Sequence, residues 1–207
     1  MALVMQVNFE QIPALPYYPA TGILQWFTSN DDIFGINLDD PLDQTNYRVV
    51  FWPNPDALKQ DPSVVDFADY ELFQSPVVYP FRLEPQLSSE YIGLTDGYSN
   101  AGVLLQEQML LAGLPEDDFW ELHERPELAC DGTKVGGYAS FVQSDPRPGS
   151  EATDGDNPWM LLAQVDSDFS VENGPLWGDA GVANLFIRRK DLVALDFSRV
   201  WYEWSCA

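Results

Sequence analysis

Gly174–Ile187 reads GPLWGDAGVANLFI, and this stretch decides the fold. Trp177, Gly178, Asp179 and Gly181 crowd into a turn, and an apolar run follows at once. Glycine takes positive φ at no steric cost, so Gly178 and Gly181 suit a tight corner. Asp179 between them is of the type that bonds turn backbone N–H groups. Trp177 would cover a core edge. The run from Val182 to Ile187 has the length of a strand rather than a helix. The stretch therefore reads as the corner of a buried sheet. The functional alternative has Asp179 converging with Asp166 and Asp168 at one strand end.

The strand that enters this corner, WMLLAQVDSD (159–168), is apolar on both faces for much of its length and holds Gln164 in its middle. Three other stretches also set a glutamine inside an apolar run: LVMQVNFE (Gln6), GILQWF (Gln25) and SFVQSD (Gln143). Leu3–Glu10 and Leu161–Asp168 read as copies of one element. YPATGILQWF after the first answers PLWGDAGVANLFI after the second. This faint internal duplication predicts an α+β, mostly β domain of two similar halves, about 1–55 and 130–207, around a mixed middle of 56–129. A buried amide must find partners or cost roughly 1–3 kcal/mol. The glutamines then either bond the sheet and turn backbones or line a cleft between the halves.

The remaining elements follow from local pattern. YRVVFW (47–52) closes a meander that starts at Leu3, and Pro53 and Pro55 end it, because proline cannot donate to a ladder. NDDIFGINLDD (30–40) reads as turn, strand, turn. YELFQSPVVYPFRLEPQL (70–87) reads as strand pieces broken by proline. AGVLLQEQMLLAGLP has helical spacing and stops at Gly113 and Pro115. PEDDFWELHER is a second short helix with acids at its start. VGGYASFVQSD (135–145) reads as a turn feeding a strand, PRPGSEATDGDNP (146–158) as a polar loop, RRKDLVALDF as a short helix and VWYEW as the last strand.

VGGYASFVQSDPR, WMLLAQVDSD, WGDAGVANLFI and DFSRVWYEWSC resemble, in order, the C-terminal half of the YwqG-like family, a bacterial family of unknown function. LVMQVNFEQIP, YPATGILQWF, DDIFGINLDD and YRVVFW resemble its N-terminal half. The resemblance implies a mixed α+β fold of duplicated β halves. Family members carry a further N-terminal region before the first glutamine strand, and this sequence starts at that strand. It also has Ser205 where the family often has an aspartate.

Charge narrows the function classes. Among 207 residues, 33 acids face ten bases, for a formal net charge of -23. Such a surface repels nucleic-acid phosphates and anionic membranes and attracts cationic partners. No apolar run approaches the roughly 18 residues of a membrane helix. The first residues have neither the basic region nor the cleavage site of a signal peptide. The expected compartment is therefore the cytoplasm, with Cys130 and Cys206 as reduced thiols.

No nucleophile elbow, P-loop, dinucleotide fingerprint or zinc-protease motif is present, and His123 is the only histidine. DSDFSVENG lacks the glycine and glutamate of a calcium loop. No residue is assigned a catalytic role, and no metal or cofactor is assigned. Gln143, Asp145, Gln164, Asp166, Asp168, Trp177 and Asp179 form the candidate polar ligand cluster, whose paired carboxylates could also run a hydrolysis such as that of a glycoside. Tyr17, Tyr18, Trp52 and Trp120 are candidate partner contacts, since aromatic anchors with an acidic rim suit an interface. The leading expectation is a non-enzymatic module that binds a basic protein, for example an immunity-type inhibitor of a cationic toxin. The alternative is a small ligand or metal in a polar cleft between the halves.

Overall fold

The computed structural model describes residues 1–54, 74–123, 125–147 and 155–207. Two three-stranded antiparallel meanders form the frame: β1 (Ala2–Asn8), β2 (Ile23–Thr28) and β3 (Tyr47–Trp52), then β4 (Trp159–Asp166), β5 (Val182–Arg188) and β6 (Trp201–Ser205). Helices α1 (Ala101–Leu111), α2 (Glu116–His123) and α3 (Pro126–Ala129) lie between the meanders in sequence, and α4 (Arg189–Ala194) follows β5 directly. The class is α+β, mostly β.

The meanders share an irregularity as well as an order. Each first strand slips register two residues before its glutamine, around Val4 in β1 and Leu162 in β4. A bulge adds one residue and so reverses which side chains face inward. In β1, Ala2 and Val4 are buried before the bulge, and Val7 and Phe9 after it. The glutamines then fall at matched rungs. Gln6 stands opposite Gln25 and Gln25 opposite Val50. Gln164 stands opposite Asn184 and Asn184 opposite Glu203.

One core joins the meanders. Val4, Val7, Leu24 and Trp26 pack in the same cluster as Leu162, Leu185, Ile187 and Tyr202. Trp26 stacks on Trp177 with centroids 5.8 Å apart and meets Tyr202 edge-on at 5.5 Å. Tyr47, fully buried, donates its hydroxyl proton between the carbonyls of Pro41 (2.7 Å) and Val200 (2.6 Å). The Tyr202 hydroxyl and the Trp204 indole N–H donate to the carbonyls of Phe34 (3.0 Å) and Ile33 (2.7 Å), which pins the loop after β2 onto β6.

Three expected strands are absent where described. In 30–40, Phe34 (φ 52°) and Gly35 (φ 77°) are left-handed, so the segment turns. Gly35 also passes within 2.1 Å, from the site of a Cβ, of the Asn46 carbonyl oxygen. Residues 74–87 form no strand, because Pro76, Pro80 and Pro85 leave no paired run long enough. Residues 70–73 of that stretch, and 148–154 of the expected polar loop, lie outside the described residues. The segment 135–145 makes a single bridge nearby, Lys134 with Gln164, and then leaves the sheet at Gly136 and Gly137, both of positive φ.

Candidate functional site

The polar rung of the second meander is the most committed group of side chains. Gln164 is fully buried, and its amide nitrogen donates to the carbonyls of Cys130 (2.9 Å) and Gly132 (2.8 Å). Its amide oxygen accepts from the Ser140 N–H (2.8 Å). Asn184, one strand over, donates to the Ser140 carbonyl (2.9 Å) and to a Glu203 carboxyl oxygen (2.6 Å). The rung therefore does the work of a missing strand. Its side chains hold the Cys130–Ser140 backbone in the place where a neighbouring ladder would. Glu203, 6% exposed, is pushed up from an ordinary glutamate value of 4.5 to about 7 by burial. Asp145 adds to that shift, and the Asn184 amide and Arg147 oppose it. Asn184 Oδ1 is buried without a hydrogen-bond partner.

Asp145 belongs to a different cluster. Its carboxylate takes the Arg147 guanidinium at 2.7 Å and the Tyr98 N–H at 2.9 Å. Arg147 also reaches Asp96 at 2.9 Å, and all three side chains are at most 4% exposed. The guanidinium lies over the rings of Phe186 (4.6 Å) and Tyr98 (4.7 Å). Burial opposes its charge, and Asp145 and Asp96 outweigh that opposition, so its pKa is raised. Gln143 is exposed and donates to the Cys206 carbonyl (2.9 Å).

The remaining acids are spread out. Asp166 accepts from the Gly132 N–H (2.7 Å), and partial burial raises its pKa. Asp168 is exposed and accepts from the Ser170 hydroxyl and N–H, which lower its pKa. Asp179 is exposed at the corner. The corner itself is closed by Ser167: the Trp177 N–H donates to its hydroxyl (2.9 Å), and that hydroxyl donates to the Gly181 carbonyl (2.7 Å). The left-handed residues are Gly178 and Ala180, not Gly181. Gly181 is needed for closeness instead. A Cβ there would sit 2.3 Å from the Ser205 carbonyl oxygen and 2.6 Å from that of Trp177. Trp177 is fully buried in the shared core. The seven candidates thus divide between a backbone brace, an ion-pair knot, a turn and the core. Among the described residues, no group of three or more His, Cys, Asp or Glu is arranged to hold a metal ion.

The aromatic candidates divide as well. Tyr17 is 54% exposed, left-handed (φ 72°), and sits under the Arg189 guanidinium at 5.4 Å. The Tyr18 hydroxyl donates to the Leu161 carbonyl, and burial raises its pKa. Both tyrosines line an open groove of about 390 Å³ with Phe51, Pro53, Leu192 and Val193, contributed by both halves. Trp52 is half-buried and donates to Gln25 Oε1 (2.9 Å). Trp120 is 55% exposed on α2 and meets Phe119 edge-on.

Asn184, Glu203, Arg147 and Ser167 were not among the sequence candidates. Asn184 and Glu203 carried the same signal as Gln164, a polar residue inside an apolar strand. Arg147 and Ser167 sit in irregular chain, where no periodicity marks a buried group.

Among the described residues, no helix is long and apolar enough to cross a membrane. No curated protein matches the chain. The fused meanders and their corner are what the family comparison recovers: its description, domain of unknown function (DUF1963), matches residues 1–206, and the chain belongs to that family.

Proposed function

We propose that this chain is a cytoplasmic, non-enzymatic protein-binding module of the YwqG-like kind, and that its partner is a basic protein. The observation that carries the reading is where the few bases go. Arg147 is buried between two aspartates, Lys134 pairs with Glu90 at 2.7 Å, and Lys190 pairs with Asp156 at 2.8 Å. Arg188 lies over the Trp159 ring at 4.2 Å. Part of the small cationic complement is therefore neutralised within the chain, with Arg147 buried outright. Acids such as Asp39, Asp40, Glu107 and Asp117 face solvent in a chain of net charge -23. A surface of that sign speeds capture of a cationic protein. An immunity-type inhibitor that covers the basic active site of a toxin is the form of partnership it suits.

Capture from the host lysate at low and high salt, read by mass spectrometry, tests the proposal. A basic protein held at low salt and released at high salt supports it. Retention that is unchanged after Asp39, Asp40, Asp117 and Asp118 are changed to asparagine overturns it.

A second reading rests on the groove. Its volume suits a small ligand, and its walls of Tyr17, Tyr18 and Phe51 favour an apolar one. A small molecule carried through purification and displaced by Val193→Trp would favour this reading over the first.

A further inference from the structure

Helix α1 is apolar on both sides, yet among the described residues nothing covers one of them. Met109 and Gly102 face inward, and a Cβ on Gly102 would come within 2.2 Å of the Leu94 carbonyl oxygen. That close seat fixes the helix's rotation, so the other side cannot turn inward. It carries Val103, Leu104, Leu110 and Leu111, which are 57%, 54%, 61% and 82% exposed. A helix on a protein surface ordinarily keeps a polar outer face. These four form two pairs seven residues apart, the spacing at which a second helix lays its own side chains between them.

Glu107 stands in the middle of the same face, and α2 opens with Glu116, Asp117 and Asp118. From residue 83 to residue 124 the sequence contains no lysine or arginine. We infer that the outer face of α1 is a docking surface for a cationic amphipathic helix presented by the partner protein. The inference rests on the basic-partner reading above. Charge chooses among the occupants. A second copy of this chain or an anionic membrane would bring like charge against the acids. A helix with leucine on one side and lysine or arginine beside it satisfies both the apolar pairs and the acidic border.

The test titrates the intact protein with a short Leu/Lys amphipathic helix and with its Leu/Glu counterpart, followed by calorimetry. The Leu/Lys peptide is expected to bind, to weaken as salt rises, and to lose at least about tenfold in affinity against Leu104→Gln/Leu111→Gln. Glutamine is a good helix former, so the double variant is expected to melt at the wild-type temperature. Glu107→Lys supplies an independent loss without touching the leucines. Binding unaffected by both variants overturns the site and leaves the basic-partner reading standing. Equal binding of the two peptides, lost in the double variant, keeps an apolar surface but overturns its cationic occupant and that reading with it. Absence of binding by either peptide overturns the inference. So does a dimer, seen by sedimentation, that the double variant dissociates.

Discussion

Glu203 carries the sharpest consequence at the scale of a single residue. Its carboxyl is held near a pKa of about 7, against 4.5 for an ordinary glutamate. Between those values the folded chain keeps a proton that the unfolded chain has released. Stability from this group is therefore full below about pH 4.5, falls as pH rises through 7, and levels off above. The ceiling is about 3 kcal/mol, at ~1.4 kcal/mol per pKa unit. Glu203→Gln, neutral at every pH, is expected to remove this slope and to melt higher than wild type at pH 8. Melting curves of both proteins from pH 5 to 8 check it; parallel curves would refute it. Asp31 and Asp168, whose pKa values are lowered by hydrogen bonds, act in the opposite sense only at lower pH.

Gln164 makes the contrasting residue-scale case. Gln164→Leu strands the Gly132 carbonyl and the Ser140 N–H, while the Cys130 carbonyl keeps the Lys134 ammonium, and is expected to cost about 2 kcal/mol or more at roughly 1–3 kcal/mol per orphaned group. Asp179→Ala removes an exposed carboxylate and is expected to fall within about 0.5 kcal/mol of wild type. Urea unfolding of the two variants separates them. Equal costs would mean that Asp179 holds the corner after all.

At the scale of elements, the glycines of the corner and of the α1 terminus behave differently. Gly113 has φ 72° and open space where a methyl group would sit, so Gly113→Ala costs only the left-handed strain, about 1–2 kcal/mol. Gly181→Ala drives a methyl into two backbone carbonyls, which cannot swing aside as a side chain can. It is expected to cost clearly more than Gly113→Ala, measured by denaturant midpoint. The same distinction explains what was legible. Strands β1 to β6 and helices α1, α2 and α4 announced themselves as apolar runs bounded by proline, glycine or polar residues, and their backbones satisfy themselves within or between neighbours. The 130–147 segment did not. Many of its backbone partners are side chains far away in sequence, those of Gln164, Asn184, Asp166 and Glu90. For the same reason the glutamines were recognised as a set, while their actual partners were not.

At the scale of the whole molecule, the Trp26–Trp177 stack lies in the one core that the two three-stranded sheets share. Trp177→Ala empties the centre of the shared core and is expected to cost about 3–5 kcal/mol. Because the core is common, near-ultraviolet circular dichroism and tryptophan fluorescence should lose their signals in one coincident transition. Two separated transitions would show that the meanders are independent.

The shared core also sets a timetable for biosynthesis. Trp26 and Tyr47 are made well before Tyr202, Trp177 and the Val200 carbonyl that complete their surroundings. A ribosome delivering this chain must release β6 before the first meander can close. Until then the nascent protein displays an unfinished apolar sheet, and its early half is the part a chaperone would meet.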